Sequence, residues 1–248
     1  VPTCFRIMQK SNWKFFVENQ LDVAHAVITH ESTGRAAADV EEDVKHRVGS
    51  APIDYHFLSG FVLPLSLYDK MTTVNYPVGH SVLEGYMSLR PQDPNSLEYE
   101  AIMKQKYGEA RANTILDTNI HHVICYPVLS VQPPLQQLRA IRPLAVDQTL
   151  TEIWHFRLKG APEPIYRRAL GYFNLVNSPS TMVNADDLWN FRKQHEGLSS
   201  DGGDWVSLHR YMGQDEERDG AIRTRIGTSE APLRNYFAAW ADYMTAGN

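Results

Sequence analysis

The sequence predicts an α+β domain in which an antiparallel sheet packs against a long helix near the C-terminus. Two observations support this class. Strand-like segments fill the middle of the chain, and its last third is mostly helical. The alternating strand–helix–strand pattern that is typical of a doubly wound parallel sheet is missing. With 248 residues, 43% of them hydrophobic, the chain is long enough for one large core or two small ones.

The first fifty residues predict a strand, a helix and a surface segment. Cys4–Gln9 has the composition of a short strand. The stretch from Phe15 to His30 mixes apolar and polar residues without Gly or Pro, which favours a helix. Thr33 to Ser50 is rich in charged and small residues and weakly periodic, so we expect an exposed segment with some mobility.

The middle of the chain predicts the sheet. Ser81–Leu89 and His122–Val131 each have the composition of a strand. Leu138–Leu144 and Thr149–Leu158 alternate in character, and the short break at Ala145–Gln148 between them predicts a hairpin turn.

Helices are predicted on either side of the hairpin. Ser96–Leu116 carries a helical pattern interrupted at Gly108. Pro164–Val176 and Ser178–Glu196 predict one long helical region broken near Pro179, with Gly197 where a helix C-cap is expected. Ala231–Thr245 predicts a final amphipathic helix.

Charge and composition exclude several classes of function. A net charge of -5 without a basic stripe argues against nucleic-acid binding. Apolar runs such as Phe61–Leu65 are far too short to cross a bilayer, so no membrane role is expected. Cys4 and Cys125 are the only cysteines, which excludes a disulfide scaffold and favours a reducing, cytoplasmic location.

One segment carries a possible metal motif. Asp22 is followed by His25 three residues later and by His30 five residues after that. Side chains five apart on a regular helix diverge by roughly 140°. The two imidazoles can therefore converge on one ion only if the helix ends or bulges between them.

A carboxylate is needed to complete such a site, and Asp186-Asp187 is the best candidate. Two His and one carboxylate on one face of an octahedron form the facial triad of non-haem Fe(II) oxygenases. A structural explanation also exists, because a His pair in a helix is more often structural than catalytic. Likewise, two adjacent Asp residues on a helix usually lie on its solvent-exposed face.

The same segment resembles the iron-binding motif of the α subunits of Rieske non-haem iron aromatic-ring-hydroxylating oxygenases. The matching elements share the family's order and spacing, and they are Asn12-Trp13-Lys14, Glu18-Asn19, Asp22, His25 and His30. Later in the chain, the stretch from Asn184 to Phe191 with Gln194 and Gly197-Leu198 resembles the family's Asp-Asp segment. Asn235 to Met244 is similar to the end of such subunits, so the resemblance extends from about Cys4 to Met244.

The resemblance implies a helix-grip fold, like that of StAR-related domains, and a mononuclear iron domain spanning residues 1–248. It implies that His25, His30 and Asp187 bind Fe(II), with Asp186 as the second choice for the carboxylate. Asp22 would be the catalytic bridging acid that links the iron to a Rieske-cluster His of the neighbouring subunit. An ionised Asp that accepts the N–H of a ligand His would also fix the tautomer of that ring.

The family's substrate cavity lies between the sheet and the long C-terminal helix. By this resemblance we expect Asn19, His122, Val183 and Phe191 to contact substrate. Ordinary packing is the competing explanation, since a half-buried His at a strand start and apolar residues at helical spacing commonly belong to a core.

One feature of the family is missing from the sequence. Its Rieske domain holds a [2Fe–2S] cluster with Cys-x-His and Cys-x2-His, and neither Cys4 nor Cys125 lies in such a motif. We therefore expect the cluster on a missing domain or another polypeptide, and this chain alone to have no electron source. The expected partners are an aromatic substrate, O2 and reductase or ferredoxin donors that use NADH indirectly. A homotrimer, to which a β subunit could be added, is the expected assembly.

Three functions compete at this stage. The first is the oxygenase component of a ring-hydroxylating mono- or dioxygenase. The second is a metal-free helix-grip module that binds an apolar ligand, although such a binder has no need of the two His and the carboxylate. The third is a zinc hydrolase, because two His and a carboxylate also suit zinc.

Overall fold

The computed structural model describes residues 3–85, 90–203 and 205–246. Its strands are β1 (Thr3–Gln9), β2 (Thr72–Asn75), β3 (Ser81–Glu84), β4 (Ile120–Cys125), β5 (Leu129–Gln132), β6 (Gln137–Ala145), β7 (Gln148–His155), β8 (Glu216–Arg218) and β9 (Ala221–Thr224). Over the described residues they form one antiparallel sheet in the order β1-β7-β6-β5-β4-β3-β2-β9-β8.

The helices precede, interrupt and follow the strands. They are α1 (Trp13–Leu21), α2 (Val23–Thr29), α3 (Glu31–Val48), α4 (Ile53–Ser59), α5 (Leu65–Tyr68), α6 (Pro94–Tyr107), α7 (Glu109–Leu116), α8 (Glu163–Tyr172), α9 (Met182–Leu198) and α10 (Ala231–Thr245). A π-helical turn at Phe173–Asn177 follows α8 directly. None of the described helices combines the length and apolar character that crossing a membrane requires.

The predicted fold class is confirmed: the molecule is an α+β, helix-grip-like domain with a large antiparallel sheet. Its largest core cluster forms where α1, α9 and α10 meet the sheet. Phe16 of α1, Phe191 of α9 and Tyr236 of α10 pack with Ile124 and Ile141 of the strands. Because strand side chains alternate between faces, Gln137, Arg139 and Ile141 share the buried face of β6.

Several predicted elements are confirmed. β1, the β6–β7 hairpin and α10 lie where they were predicted, and the helical stretch before the hairpin is interrupted at Gly108, whose φ is 77°. The strand predicted for Ser81–Leu89 ends at Glu84, and residues 86–89 lie outside the described part of the chain. Gly197 is not the predicted C-cap, because α9 continues to Leu198 and Ser199 occupies the cap.

The segment Thr33–Ser50 is exposed along most of its length, as predicted, but it is helical. Most of these residues belong to α3, which is capped by Gly49 in the left-handed conformation. Ion pairs four residues apart cover the exposed side, and they are Arg35–Glu31, Lys45–Glu41 and Arg47–Asp43. The small residues Gly34 and Ala37 form the buried side, so the weak periodicity hid a real helix.

Two other predicted segments are divided by turns. The strand predicted for His122–Val131 is a hairpin, β4 and β5, whose turn holds the cis Tyr126–Pro127 bond. The helix predicted for Phe15–His30 consists of α1 and α2, separated at Asp22, whose backbone is extended. The break at Asp22 lies inside the possible metal motif. β2, β8, β9, α4 and α5 were not predicted.

Candidate metal site

Three side chains from distant parts of the chain converge on one point. His25, His30 and Asp187 each offer a ligand atom, and these atoms lie within 4.8 Å of one another. Oδ1 of Asp187 is 3.2 Å from Nε2 of His30 and 3.8 Å from Nε2 of His25. Neighbouring ligands of a first-row metal with bonds of about 2.1 Å are about 3 Å apart in an octahedron. The contact between Asp187 and His30 is already close to this spacing, whereas Oδ1 of Asp187 and Nε2 of His25 would have to approach each other by about 0.8 Å to bind one ion.

The local backbone explains why the two imidazoles meet despite their five-residue spacing. Asp22 ends α1 and starts α2, because its carboxylate accepts the N–H of Ala24 at 3.0 Å as an N-cap. His25 lies in the first turn of α2, and His30 is the junction residue between α2 and α3. The helix end that the spacing requires is therefore present at His30.

The tautomer of His25 follows from its backbone contact. Its Nδ1 forms a short hydrogen bond to the carbonyl oxygen of Asp22, which can only accept. Nδ1 therefore carries the proton, and the lone pair of Nε2 points toward Asp187 and the amide of Asn19. That is the state in which a neutral imidazole binds a metal ion.

His30 is the most deeply buried member, with 1% of its surface exposed. Its ring lies 5.2 Å from that of Phe61. Its Nδ1 makes no hydrogen bond among the described residues, and Oδ2 of Asp186 is 3.5 Å away. The two nitrogens therefore have different surroundings: Nδ1 faces Asp186, and Nε2 faces Asp187 and is the atom that could bind a metal ion.

The side chain of Asn19 lies against the three ligand atoms. Its Nδ2 donates to Nε2 of His25 at 2.8 Å and to Oδ1 of Asp187 at 3.1 Å. Gln20 donates to the Oδ1 of Asn19 at 3.0 Å and so fixes the orientation of the amide. Asn19 thus occupies lone pairs that a metal ion would use.

Asp22 is placed differently from the expectation. The contact to the His25 ring comes from the carbonyl oxygen of Asp22, whereas its carboxylate caps α2. The carboxylate is also 3.4 Å from Nη2 of Arg210, which donates through Nε to the carbonyl of Thr228. Asp22 still touches His25 directly, and its side chain is 29% exposed.

The four expected substrate contacts fall in different places. Asn19 and Phe191 line a small cavity beside the cluster. Val183 packs in an apolar cluster with Ala37, Leu58 and Val176, and it is not part of that lining. His122 is buried against the ring of His121, outside the lining, and burial lowers its pKa well below the ordinary value.

The cavity beside the cluster measures about 30 Å³, and its lining is Ile7, Gln9, Phe16, Asn19, Gln20, Arg139, Thr151, Ile153, Asn177, Asn184, Asp187 and Phe191. This volume holds a water molecule or a group of a few atoms. Most of the polar members were not identified from the sequence. One signal was available, since Gln137, Arg139 and Ile141 share one face of β6 and a charged residue on a core-facing row is unusual.

Comparison with known proteins supports the assignment of this fold. The family model "Ring hydroxylating alpha subunit (catalytic domain)" matches residues 5–246. The chain is 27% identical over 199 residues to the α subunit of toluate 1,2-dioxygenase from Pseudomonas putida. The aligned region covers 78% of this chain and 40% of that protein. It is 28% identical over 109 residues to the large subunit of 2-halobenzoate 1,2-dioxygenase from Burkholderia cepacia, covering 44% of this chain and 23% of that protein.

Solved structures share the fold at low sequence identity. Naphthalene 1,2-dioxygenase with indole bound in its active site matches with a TM-score of 0.70 and 17% identity, covering 100% of this chain and 56% of that one. The enzyme from Rhodococcus sp. bound to indole matches with a TM-score of 0.66 and 17% identity, covering 99% of this chain and 56% of that one. The chain thus spans about half the length of these proteins or less.

Proposed function

Since the chain belongs to the family of ring-hydroxylating α subunits and corresponds to its catalytic domain, we propose that it is the oxygenase component of a ring-hydroxylating mono- or dioxygenase. In this proposal His25, His30 and Asp187 bind one Fe(II) ion. The convergence of two imidazole nitrogens and one carboxylate oxygen within 4.8 Å is the observation that carries it.

The donor set fits a catalytic ion better than a structural one. Three protein ligands leave coordination positions open, whereas structural zinc sites are closed by four. The chemistry that such an iron supplies when bound is the reaction of O2 with an aromatic ring. Asp186, 3.5 Å from Nδ1 of His30, would hold that ring in position from outside the ligand set.

Asp22 has a separate role in the proposal. Its carbonyl oxygen accepts the N–H of His25, and its carboxylate is partly exposed, so it connects the metal site to the surface. We assign it as the bridging acid toward a Rieske [2Fe–2S] cluster on a neighbouring subunit. The electrons would come from NADH through a reductase or ferredoxin. The proposed assembly is a homotrimer, alone or with a β subunit, and the proposed location is the cytoplasm.

The proposed substrate is an aromatic compound. The relatives named for toluate and 2-halobenzoate act on aromatic acids, whereas naphthalene dioxygenase is named for a neutral hydrocarbon. Both kinds of substrate are compatible with the family. Of the four substrate contacts expected from the sequence, the cavity lining favours Asn19 and Phe191, and the positions of His122 and Val183 leave them as weaker proposals.

Metal content tests the proposal. The protein is purified without added metal, analysed for metals by mass spectrometry and then titrated anaerobically with Fe(II). We expect close to one iron per chain in the wild-type protein. Variants that lack the imidazole of His25 or of His30 should bind no iron. Zinc at the same stoichiometry would support a hydrolase instead. Failure to bind any metal would overturn the proposal and favour the ligand-binding module.

A further inference from the structure

Arg139 is a buried positive charge in the lining of the cavity beside the metal site. It lies on β6 with 3% of its surface exposed, and it lines the cavity together with Asn19 and Asp187. Burial lowers its pKa to about 10, which still leaves the guanidinium fully charged at neutral pH. A buried charge of this kind is costly unless it is paired.

The partners of Arg139 are neutral amides. Its Nη2 donates to Oε1 of Gln132 at 2.6 Å and to Oε1 of Gln137 at 2.8 Å, and its Nε donates to Gln137 at 3.2 Å. Its Nη1 donates to Oε1 of Gln20. No carboxylate of the described residues lies within 4.0 Å of this side chain. The guanidinium therefore keeps its charge, since the amide oxygens that accept from it are neutral.

Among the carboxylates, Asp187 of the ligand cluster acts on Arg139. Asp187 favours the charged form of Arg139 through space, and both residues line the same cavity. When Asp187 binds a divalent cation, that cation neutralises the carboxylate charge, which then no longer compensates the charge of Arg139. Two His, one carboxylate and Fe(II) carry a net charge of +1, so the cavity then lies between two positive centres.

The remaining space also suits an anion. A cavity of about 30 Å³ has room for a carboxylate group but not for an aromatic ring. The ring would have to lie toward the ligand cluster, where the amide of Asn19 now hydrogen bonds to His25 and Asp187. Metal binding needs the lone pair on His25, so Asn19 would have to give up this hydrogen bond, and Asn19 and Asp187 both line the cavity.

We propose that Arg139 is the substrate-specificity residue of this site and that it binds the carboxylate of an aromatic acid. The inference rests on the proposed function and selects an anionic over a neutral aromatic substrate. The guanidinium supplies both the positive charge and the N–H donors for the carboxylate. Gln20, Gln132 and Gln137 hold the fork in place without neutralising it, which leaves its charge available to a ligand.

The test measures binding rather than turnover. The affinities of benzoate and of benzamide, which has the same shape but no charge, are compared by isothermal titration at pH 7. We expect benzoate to bind at least roughly tenfold more tightly than benzamide, as a charge-assisted hydrogen bond provides. In Arg139→Gln the benzoate affinity should fall at least roughly tenfold, while the benzamide affinity stays within about twofold.

Arg142 provides the matched control. It lies on the same strand but is exposed and paired with Glu152 at 2.7 Å, so Arg142→Gln should leave both affinities unchanged. Arg139→Lys keeps the charge without the fork and should retain part of the preference for benzoate. Circular dichroism and thermal melting establish that each variant is folded. If Arg139→Gln does not fold, the wild-type ratio decides: equal affinities for benzoate and benzamide would overturn the proposal.

Iron content, measured in the same samples, separates the two hypotheses. Iron binding without a preference for benzoate would remove the role of Arg139 and leave the oxygenase proposal intact. The opposite result is a protein that binds no iron but prefers benzoate, with the preference lost in Arg139→Gln. That result would support the role of Arg139 and contradict the oxygenase proposal.

Discussion

Nε2 of His30 lies 3.2 Å from Oδ1 of Asp187, and Nδ1 of the same ring lies 3.5 Å from the carboxylate of Asp186. The two aspartates are adjacent on α9, where consecutive side chains point about 100° apart. They therefore approach opposite nitrogens of one imidazole. Asp187 also faces His25, and Asp186 is 40% exposed.

This geometry predicts different results for the two aspartates. Asp187→Asn removes the carboxylate charge from the ligand cluster, so the iron content should fall to roughly a tenth or less of the wild-type value. Asp186→Asn should retain most of the iron, because its carboxylate lies outside the cluster. Anaerobic Fe(II) titration of the two variants measures the difference. The opposite order would make Asp186 the ligand.

Replacing either imidazole should abolish iron binding but should cost different amounts of stability. His25 has 23% of its side chain exposed, whereas that of His30 is 2% exposed and packs against Phe61. We expect His30→Ala to lose about 1–3 kcal/mol of unfolding free energy and His25→Ala clearly less. Urea denaturation of the metal-free proteins gives the two values. Full iron occupancy in either variant would disprove its role as a ligand.

Asp22→Asn should separate the charge of this residue from its structural role. Asn is as good an N-cap as Asp, so the hydrogen bond to Ala24 and the break between α1 and α2 should persist. We expect melting and iron content close to wild type, whereas Asp22→Ala should lose about 1 kcal/mol of stability. If the Asn variant impairs NADH-driven turnover of the complete enzyme but not a peroxide-driven reaction, the bridging role is supported. Equal impairment of both reactions would contradict it.

The stability of the protein should fall on mild acidification because of His155. This ring is fully buried between Phe5 and Phe173, and burial lowers its pKa from 6.5 to about 4. Below pH 6.5 the unfolded chain takes up a proton that the folded protein does not, so stability is present above pH 6.5 and is lost as the pH falls toward 4. His155 contributes a loss on the order of 2 kcal/mol.

The variant His155→Leu removes this titration while keeping a similar volume. Urea denaturation at pH 7.5 and pH 4.5 should show a smaller acid-induced loss in this variant than in wild type. His46 on the exposed side of α3 provides the control, and His46→Gln should keep the wild-type pH dependence. An unchanged acid-induced loss in His155→Leu would show that other groups cause it.

Gly34 should be intolerant of a side chain because α3 passes very close to the turn that supports His30. A Cβ at this position would lie 2.9 Å from Cβ of Phe61 and 3.0 Å from Cγ1 of Val62. Gly34→Ala should therefore shift Phe61, lower stability by about 1–3 kcal/mol and weaken iron binding through His30. Gly108→Ala, where a Cβ would have open space, is the control for strain without a clash. Wild-type iron affinity in Gly34→Ala would show that Phe61 does not support the ligand.

Local patterns were sufficient for many of the elements. The alternation along β6 and β7 with a polar break between them predicted the hairpin, because side chains on a strand point to opposite faces at every step. Likewise, the spacing between His25 and His30 required a helix end between α2 and α3. That requirement follows from helix geometry alone. The family resemblance added Asp187, which no local pattern connects to the two histidines.

Contacts between distant segments decided the rest. The break at Asp22, the helix α3 and the division of His122–Val131 depend on capping and packing that a periodicity does not reveal. The sequence alone determined the antiparallel α+β class and the motif. Only the tertiary structure decided that Arg139 lies beside Asp187 in one cavity without a carboxylate partner among the described residues. The physical reason is that the cost of a buried charge depends on its neighbours in space, and in the sequence Arg139 is simply one polar residue in a strand.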